Sequence, residues 1–215
     1  MDKYQNKYRI PSARLHNWNY GAMGAYFVTI CTQNREHFFG EIVKNEMILT
    51  DIGKNAQDEW LKTIALRPDM NLELGNFVVM PNHFHGILII GENKFNSYSR
   101  MDSRMDSRCT DAMHRVSTGN KFGPQSKNLG SIIRGFKSAV TTFAKIERTD
   151  AMHRDRDAMH CVSTNNFWWQ PRFHDHIIRN SAEFERIQNY IANNVENWKE
   201  DKFYKQQPIF PNNDK

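Results

Sequence analysis

His83 and His85, in the run Val78-Val79-Met80-Pro81-Asn82-His83-Phe84-His85-Gly86-Ile87-Leu88-Ile89-Ile90, are the residues whose types and spacing most suit chemistry. Side chains alternate along a strand, so both imidazoles leave one face while Phe84 enters the core. Such a pair is either a pair of metal ligands or two hydrogen-bonded histidines at the end of a sheet. A second candidate lies far downstream, where Tyr190 and Asn194 stand four residues apart. Their segment reads as a helix: Phe184, Ile187, Ile191, Val195 and Trp198 recur at helical spacing, and Asn180-Ser181-Ala182-Glu183 supplies an N-cap with a glutamate three places on. One turn apart on the margin of that apolar stripe, Tyr190 and Asn194 can face a cleft while the helix stays anchored.

The remaining elements have to position these groups. Tyr26 to Thr32 alternates as a strand, and Glu41 to Leu49 reads as a hairpin turning at Lys44-Asn45. Thr50 caps a helix carrying Ile52, Ala56, Trp60 and Ile64, which Arg67-Pro68 ends. Leu72 to Met80 and His85 to Ile90 are strands joined by Pro81-Asn82, so the histidines come just past a turn. A helix from about Ser126 to Ile146 turns Ile133, Phe136, Val140 and Phe143 inward, Trp168 to Ile178 is a last strand, and the tyrosine helix closes the fold. The order βαββαβα predicts an α+β fold, a ferredoxin-like antiparallel sheet covered by helices.

The net charge of +5 and sequence pI near 9.1 are compatible with a polyanionic partner without requiring one. Cys31, Cys109 and Cys161 are odd in number and form no CxxC, which indicates neither a disulfide framework nor a zinc knuckle and points to a reducing cytoplasm. No apolar run reaches the length of a membrane span, and Met1 to Lys7 carries no apolar signal region. The chain reads as one domain with its core at about 21–95, 126–147 and 167–200, interrupted by polar insertions at 96–125 and 148–166 that are expected to be disordered. Both insertions carry one phrase: Thr110-Asp111-Ala112-Met113-His114, Thr149-Asp150-Ala151-Met152-His153 and Arg156-Asp157-Ala158-Met159-His160. These copies lack the period and the apolar content of a stacked repeat, and their histidines lack a scaffold that would fix ligand geometry.

Several stretches, in order, resemble the single-tyrosine HUH transposases, particularly the REP-associated tyrosine transposases. They are Tyr26-Phe27-Val28-Thr29-Ile30, Met80 to Gly86, Arg134-Gly135-Phe136-Lys137-Ser138, Trp169 to Arg179 and the tyrosine helix. The resemblance implies the HUH endonuclease type of ferredoxin-like fold, with the metal site on central strands. It implies a divalent metal, Mg2+ or Mn2+, on His83 and His85, with Asn194 as third, amide-oxygen ligand. Tyr190 is then the nucleophile that cleaves single-stranded or hairpin DNA through a 5′-phosphotyrosine. Relatives often have proline after that asparagine, whereas Val195 follows here, which leaves the helix free to run one turn longer. DNA contacts are expected from Arg134, Lys137, Arg172 and His176, with His176 a reserve metal ligand. A rolling-circle nickase and a repeat-DNA-binding protein that no longer cleaves are the alternative readings, and either a monomer or a homodimer fits.

Overall fold

A computed structural model describes residues 18–97, 126–154 and 167–204. In chain order they form β1 (Gly24–Cys31), the hairpin β2 (Gly40–Val43) and β3 (Glu46–Leu49), α1 (Asp51–Leu61), β4 (Leu72–Met80), β5 (His83–Ile90), α2 (Leu129–Arg154), β6 (His174–Ile178) and α3 (Ser181–Ala192). Four strands make one antiparallel sheet in the order β4-β5-β1-β6, while β2 and β3 pair separately. Numbered among themselves the sheet strands run 2-3-1-4, the ferredoxin-like order expected from the sequence of elements.

Alternation divides the sheet between two layers. Tyr26, Val28 and Ile30 of β1 with Phe84, Leu88 and Ile90 of β5 pack in one cluster with Ala56 and Trp60 of α1 and Ile132, Ile133, Phe136 and Val140 of α2. Ile87 of β5 packs instead in a second cluster with Ile178, Ile187 and Ile191, joined by Phe27 and Phe184. His83 and His85 share the parity of Ile87, so they face α3. Burial of Ile187 and Ile191 contributes about 1.5–3 kcal/mol each, which anchors α3 while Tyr190 at the helix margin stays 42% exposed.

Local signals act as the sequence predicts at several ends. Thr50 Oγ1 accepts a hydrogen bond from the Gly53 amide at 3.2 Å, and Asn180 Oδ1 accepts from the Glu183 amide at 2.8 Å, so both helices start on their expected caps. Lys44 and Asn45 both take positive φ, 51° and 63°, as a two-residue hairpin turn requires.

Other expectations are corrected. The first helix stops at Leu61, so Ile64 lies beyond it and is exposed. The strand expected over Trp168 to Ile178 is broken: Trp169 keeps one isolated bridge to Thr32, and pairing resumes only at His174. Pro171 has no amide to donate and Arg172 takes φ 70°, a left-handed conformation that departs from regular ladder geometry. Despite the missing proline, α3 ends at Ala192 rather than a turn later. Asn193 and Asn194 are poor helix formers that bond locally, and Asn194 directs its amide towards Asp201 beyond the helix. At the other extreme α2 continues to Arg154, so the start of the second insertion is helical. The rest of that insertion, most of the first, and the arm up to residue 17 lie outside the described residues.

Candidate active site

Strand register builds the first half of the site. His85 lies opposite Thr29 and His83 opposite Cys31 in the β1–β5 ladder. Thr29 Oγ1 reaches His85 Nδ1 at 2.9 Å, which fixes the ring and leaves Nε2 facing α3. His83 is fixed by its chain neighbour. The Asn82 amide nitrogen donates to the carbonyls of Phe203 at 2.9 Å and Arg35 at 3.2 Å, which turns Asn82 Oδ1 towards His83 Nδ1 at 2.8 Å. An acceptor facing Nδ1 places the hydrogen there, so Nε2 presents its lone pair. That Nε2 is buried without a hydrogen-bond partner among the described residues. The two imidazoles lie with centroids 4.5 Å apart.

Burial keeps both rings neutral. Removal from water, helped by His85, Arg35 and Lys202, holds His83 well below the ordinary imidazole value, and burial with Lys202 nearby pushes His85 down to about 3. Neutral imidazole is the form that binds metal ions.

The second half comes from α3 and the turn behind it. A bulge between Leu74 and Phe77 bends β4, and there the Asn76 amide donates to Gln188 Oε1 at 2.6 Å while Asn76 Nδ2 donates to the Gln188 carbonyl at 3.3 Å. This clasp holds α3 against the sheet. Two residues on, the Tyr190 hydroxyl lies 3.2 Å from His85 Nε2, and the tyrosine ring packs edge-on to Phe27. Its pKa is raised by burial and by the carboxylate of Asp201. Asn194 is buried beside it, with Oδ1 lacking a hydrogen-bond partner among the described residues.

Behind the helix, Trp198 and Phe203 pack over the histidines, with ring centroids 5.9 Å and 4.7 Å from His83. Between them Asp201 enters the site. Its Oδ2 accepts from the Tyr190 hydroxyl at 3.3 Å and lies 3.5 Å from Asn194 Nδ2. His83, His85 and Asp201 each place one ligand atom within 4.8 Å of the others. Asp201 escaped the sequence reading because no fixed spacing ties it to the histidines. The available signal was Trp198 and Phe203, two aromatic residues in a polar stretch, whose burial determines where the acid between them points.

The structure therefore brings His83, His85, Tyr190 and Asn194 into one cluster and adds Asp201. The residues read as DNA contacts lie elsewhere. Arg134, Lys137 and Arg172 line one cleft of about 320 Å³ beside the start of α2, on the layer opposite α3. Within it Lys137 Nζ donates to the carbonyls of Gln170 at 2.7 Å and Arg172 at 3.0 Å, and burial lowers its pKa to about 8. His176 Nε2 pairs with Glu183 Oε1 at 2.8 Å and does not join the histidine pair.

Two neutral imidazoles, of which His83 has an unpartnered Nε2 among the described residues and His85 turns its Nε2 to Tyr190, form with the unpaired Asn194 amide oxygen and the Asp201 carboxylate a mixed N/O donor set that fits a divalent cation. Among the described residues no helix is long and apolar enough to cross a membrane.

No family model matches the chain. The structure of a REP-associated tyrosine transposase bound to a REP hairpin is similar over 90% of this chain and 77% of that one, with a TM-score of 0.45 and 19% identity. An uncharacterized protein of Haemophilus influenzae is 32% identical over 193 residues, covering 90% of this chain and 92% of its own. Identity at that level over nearly the whole of both lengths means that this chain belongs to the same family as the Haemophilus influenzae protein.

Proposed function

We propose that this protein is a metal-dependent single-stranded DNA transposase that cleaves and rejoins hairpin-associated DNA through a 5′-phosphotyrosine on Tyr190. The observation that carries the reading is the 3.2 Å approach of the Tyr190 hydroxyl to His85 Nε2, which unites a nucleophile and a metal ligand from segments far apart in the chain. His83, His85 and Asn194 hold the cation, Mg2+ or Mn2+. Bound there, it supplies positive charge that offsets charge on the phosphate and orients the scissile bond.

The protein's own groups account for the other requirements. A phenol with pKa about 10 is only about one part in a thousand ionised near neutrality, and burial raises that of Tyr190 further. The hydroxyl therefore has to lose its proton as it attacks. The Tyr190 oxygen forms a bond to phosphorus, the bond from phosphorus to the 3′ oxygen breaks, and that oxygen takes a proton. Because the phosphodiester is exchanged for a phosphotyrosine, a strand hydroxyl can reverse the step and join DNA without ATP. Arg35 and Lys202 add fixed positive charge beside the site: Arg35 Nη1 donates to the Lys202 carbonyl at 3.0 Å, and both cations flank the Phe203 ring. Arg134 and Arg172 carry phosphate contacts on the α2 side. Tyrosine and histidines converge within one chain, which supports cleavage by a monomer over exchange of α3 in a homodimer.

The test is incubation of labelled hairpin DNA with the protein and with Tyr190→Phe, with and without Mn2+. A covalent adduct that needs the metal and vanishes in the variant, with binding retained, is expected. An unaltered protein that binds the hairpin but never forms an adduct refutes the reading and favours a DNA-binding protein without cleavage.

A further inference from the structure

The Tyr190 hydroxyl touches two atoms at once: it donates to Asp201 Oδ2 at 3.3 Å, and its oxygen lies 3.2 Å from His85 Nε2. Both residues also belong, with His83, to the cluster whose ligand atoms lie within 4.8 Å of one another. The atoms open to a cation in these two side chains follow by elimination. His85 Nδ1 is engaged by Thr29 Oγ1 at 2.9 Å, which leaves Nε2. Asp201 Oδ1 accepts the Phe203 amide at 2.6 Å, which leaves Oδ2. A cation bound through His85 Nε2 and Asp201 Oδ2, the carboxylate oxygen turned away from the Phe203 amide, uses the pair of atoms that Tyr190 contacts.

We infer that Asp201 is the anionic ligand of the cation and that metal and Tyr190 compete for His85 Nε2 and Asp201 Oδ2, so that metal binding releases the nucleophile. This rests on the function proposed above and deepens its metal site. Two further observations point to a ligand in this place: His83 Nε2 and Asn194 Oδ1 are both buried and without hydrogen-bond partners among the described residues. Charge supports the assignment too. Two imidazoles and an amide are neutral, and hard divalent cations favour a carboxylate oxygen in their ligand set. The segment supplying it is held in place, since the Phe203 carbonyl accepts from Asn82 Nδ2 at 2.9 Å and Phe203 is buried. The arrangement couples two events. While Tyr190 holds both atoms the cation is excluded from them, and once the cation takes them the phenol is free to turn to a phosphate.

Competition gives the two partners opposite signatures in metal affinity, which a structural role does not. The experiment is titration of the full chain with Mn2+ in the absence of DNA, read by calorimetry and by the electron paramagnetic resonance of free Mn2+. Tyr190→Phe keeps the ring and removes the competing hydroxyl, so it is expected to bind Mn2+ about 3- to 10-fold more tightly, the equivalent of one ordinary hydrogen bond. Asp201→Asn keeps an acceptor for the Phe203 amide and is expected to bind on the order of 10- to 100-fold more weakly. Thermal melts without metal confirm that both variants fold. Unaltered protein binding Mn2+ while either variant matches it overturns the inference and leaves the histidine site standing. Unaltered protein taking up no Mn2+ overturns both.

Discussion

Thr29 and His85 face each other across β1 and β5, and their contact of 2.9 Å makes a sheet register into a ligand orientation. Thr29→Val keeps the shape but leaves a buried ring nitrogen without a partner. We expect a loss of about 1–3 kcal/mol in urea denaturation and metal binding weaker by on the order of 10- to 100-fold. Mn2+ affinity equal to that of the unaltered protein contradicts the orienting role.

Asn82 ties three segments together through His83 Nδ1 and the carbonyls of Arg35 and Phe203. In Asn82→Ala the buried groups it satisfied are stranded, at a cost of about 2–4 kcal/mol. The segment carrying Asp201 should loosen as well. Hydrogen exchange at the Phe203 amide, faster in the variant, would register that loosening.

Gly86 lies under Trp60, and a Cβ there would come within 2.9 Å of Trp60 and of Phe84. Gly86→Ala is expected to destabilise by about 1–3 kcal/mol through overpacking. Denaturation midpoints measure it, and an unchanged midpoint would mean that the Trp60 layer yields.

Acid should weaken the fold before most carboxylates titrate. His83 and His85 are held below the ordinary imidazole value of 6.5, His85 at about 3. The unfolded chain takes up protons below 6.5 while the folded chain refuses them, so their contribution is complete above 6.5 and falls as pH drops towards 3. Urea midpoints taken with a chelator between pH 8 and 4.5 should decline below about 6.5; a flat profile would rule out neutral buried rings.

Lys137 and Arg134 offer a test of structural charge against charge proposed to meet DNA. Lys137→Met removes the ammonium that gathers the Gln170 and Arg172 carbonyls, so stability should fall by about 1–3 kcal/mol with little change in salt dependence. Arg134 is exposed, and Arg134→Ala should reduce the slope of log affinity against log salt by about 0.7 to 0.9, one phosphate contact. Filter binding of hairpin DNA across salt concentrations distinguishes the two, and identical slopes would remove Arg134 from the interface.

Much of this arrangement was legible in the chain because it depends on short-range rules. Period-two alternation placed both histidines on one face, the four-residue spacing brought Tyr190 and Asn194 together although Asn194 lies beyond the end of α3, and Thr50 and Asn180 marked helix starts. What sequence did not reveal depends on contacts remote along the chain. The placement of Asp201 beside Tyr190 needs Phe203 docked on Asn82, and the use of Lys137 as a carbonyl clamp needs the loop at Gln170 folded back on α2. The break in the last strand is local: Pro171 and the left-handed Arg172 interrupt a segment whose apolar pattern alone predicts a continuous strand.

Both margins of the four-stranded sheet are poor templates for another strand. At β4 the bulge between Leu74 and Phe77 disturbs the ladder and Gln188 occupies the Asn76 amide. At β6 only five residues pair, bounded by Pro171 and left-handed Arg172, with His174 and His176 exposed. Edges that are short, bent and polar resist chain-to-chain pairing, so this sheet is protected against growing into an aggregate.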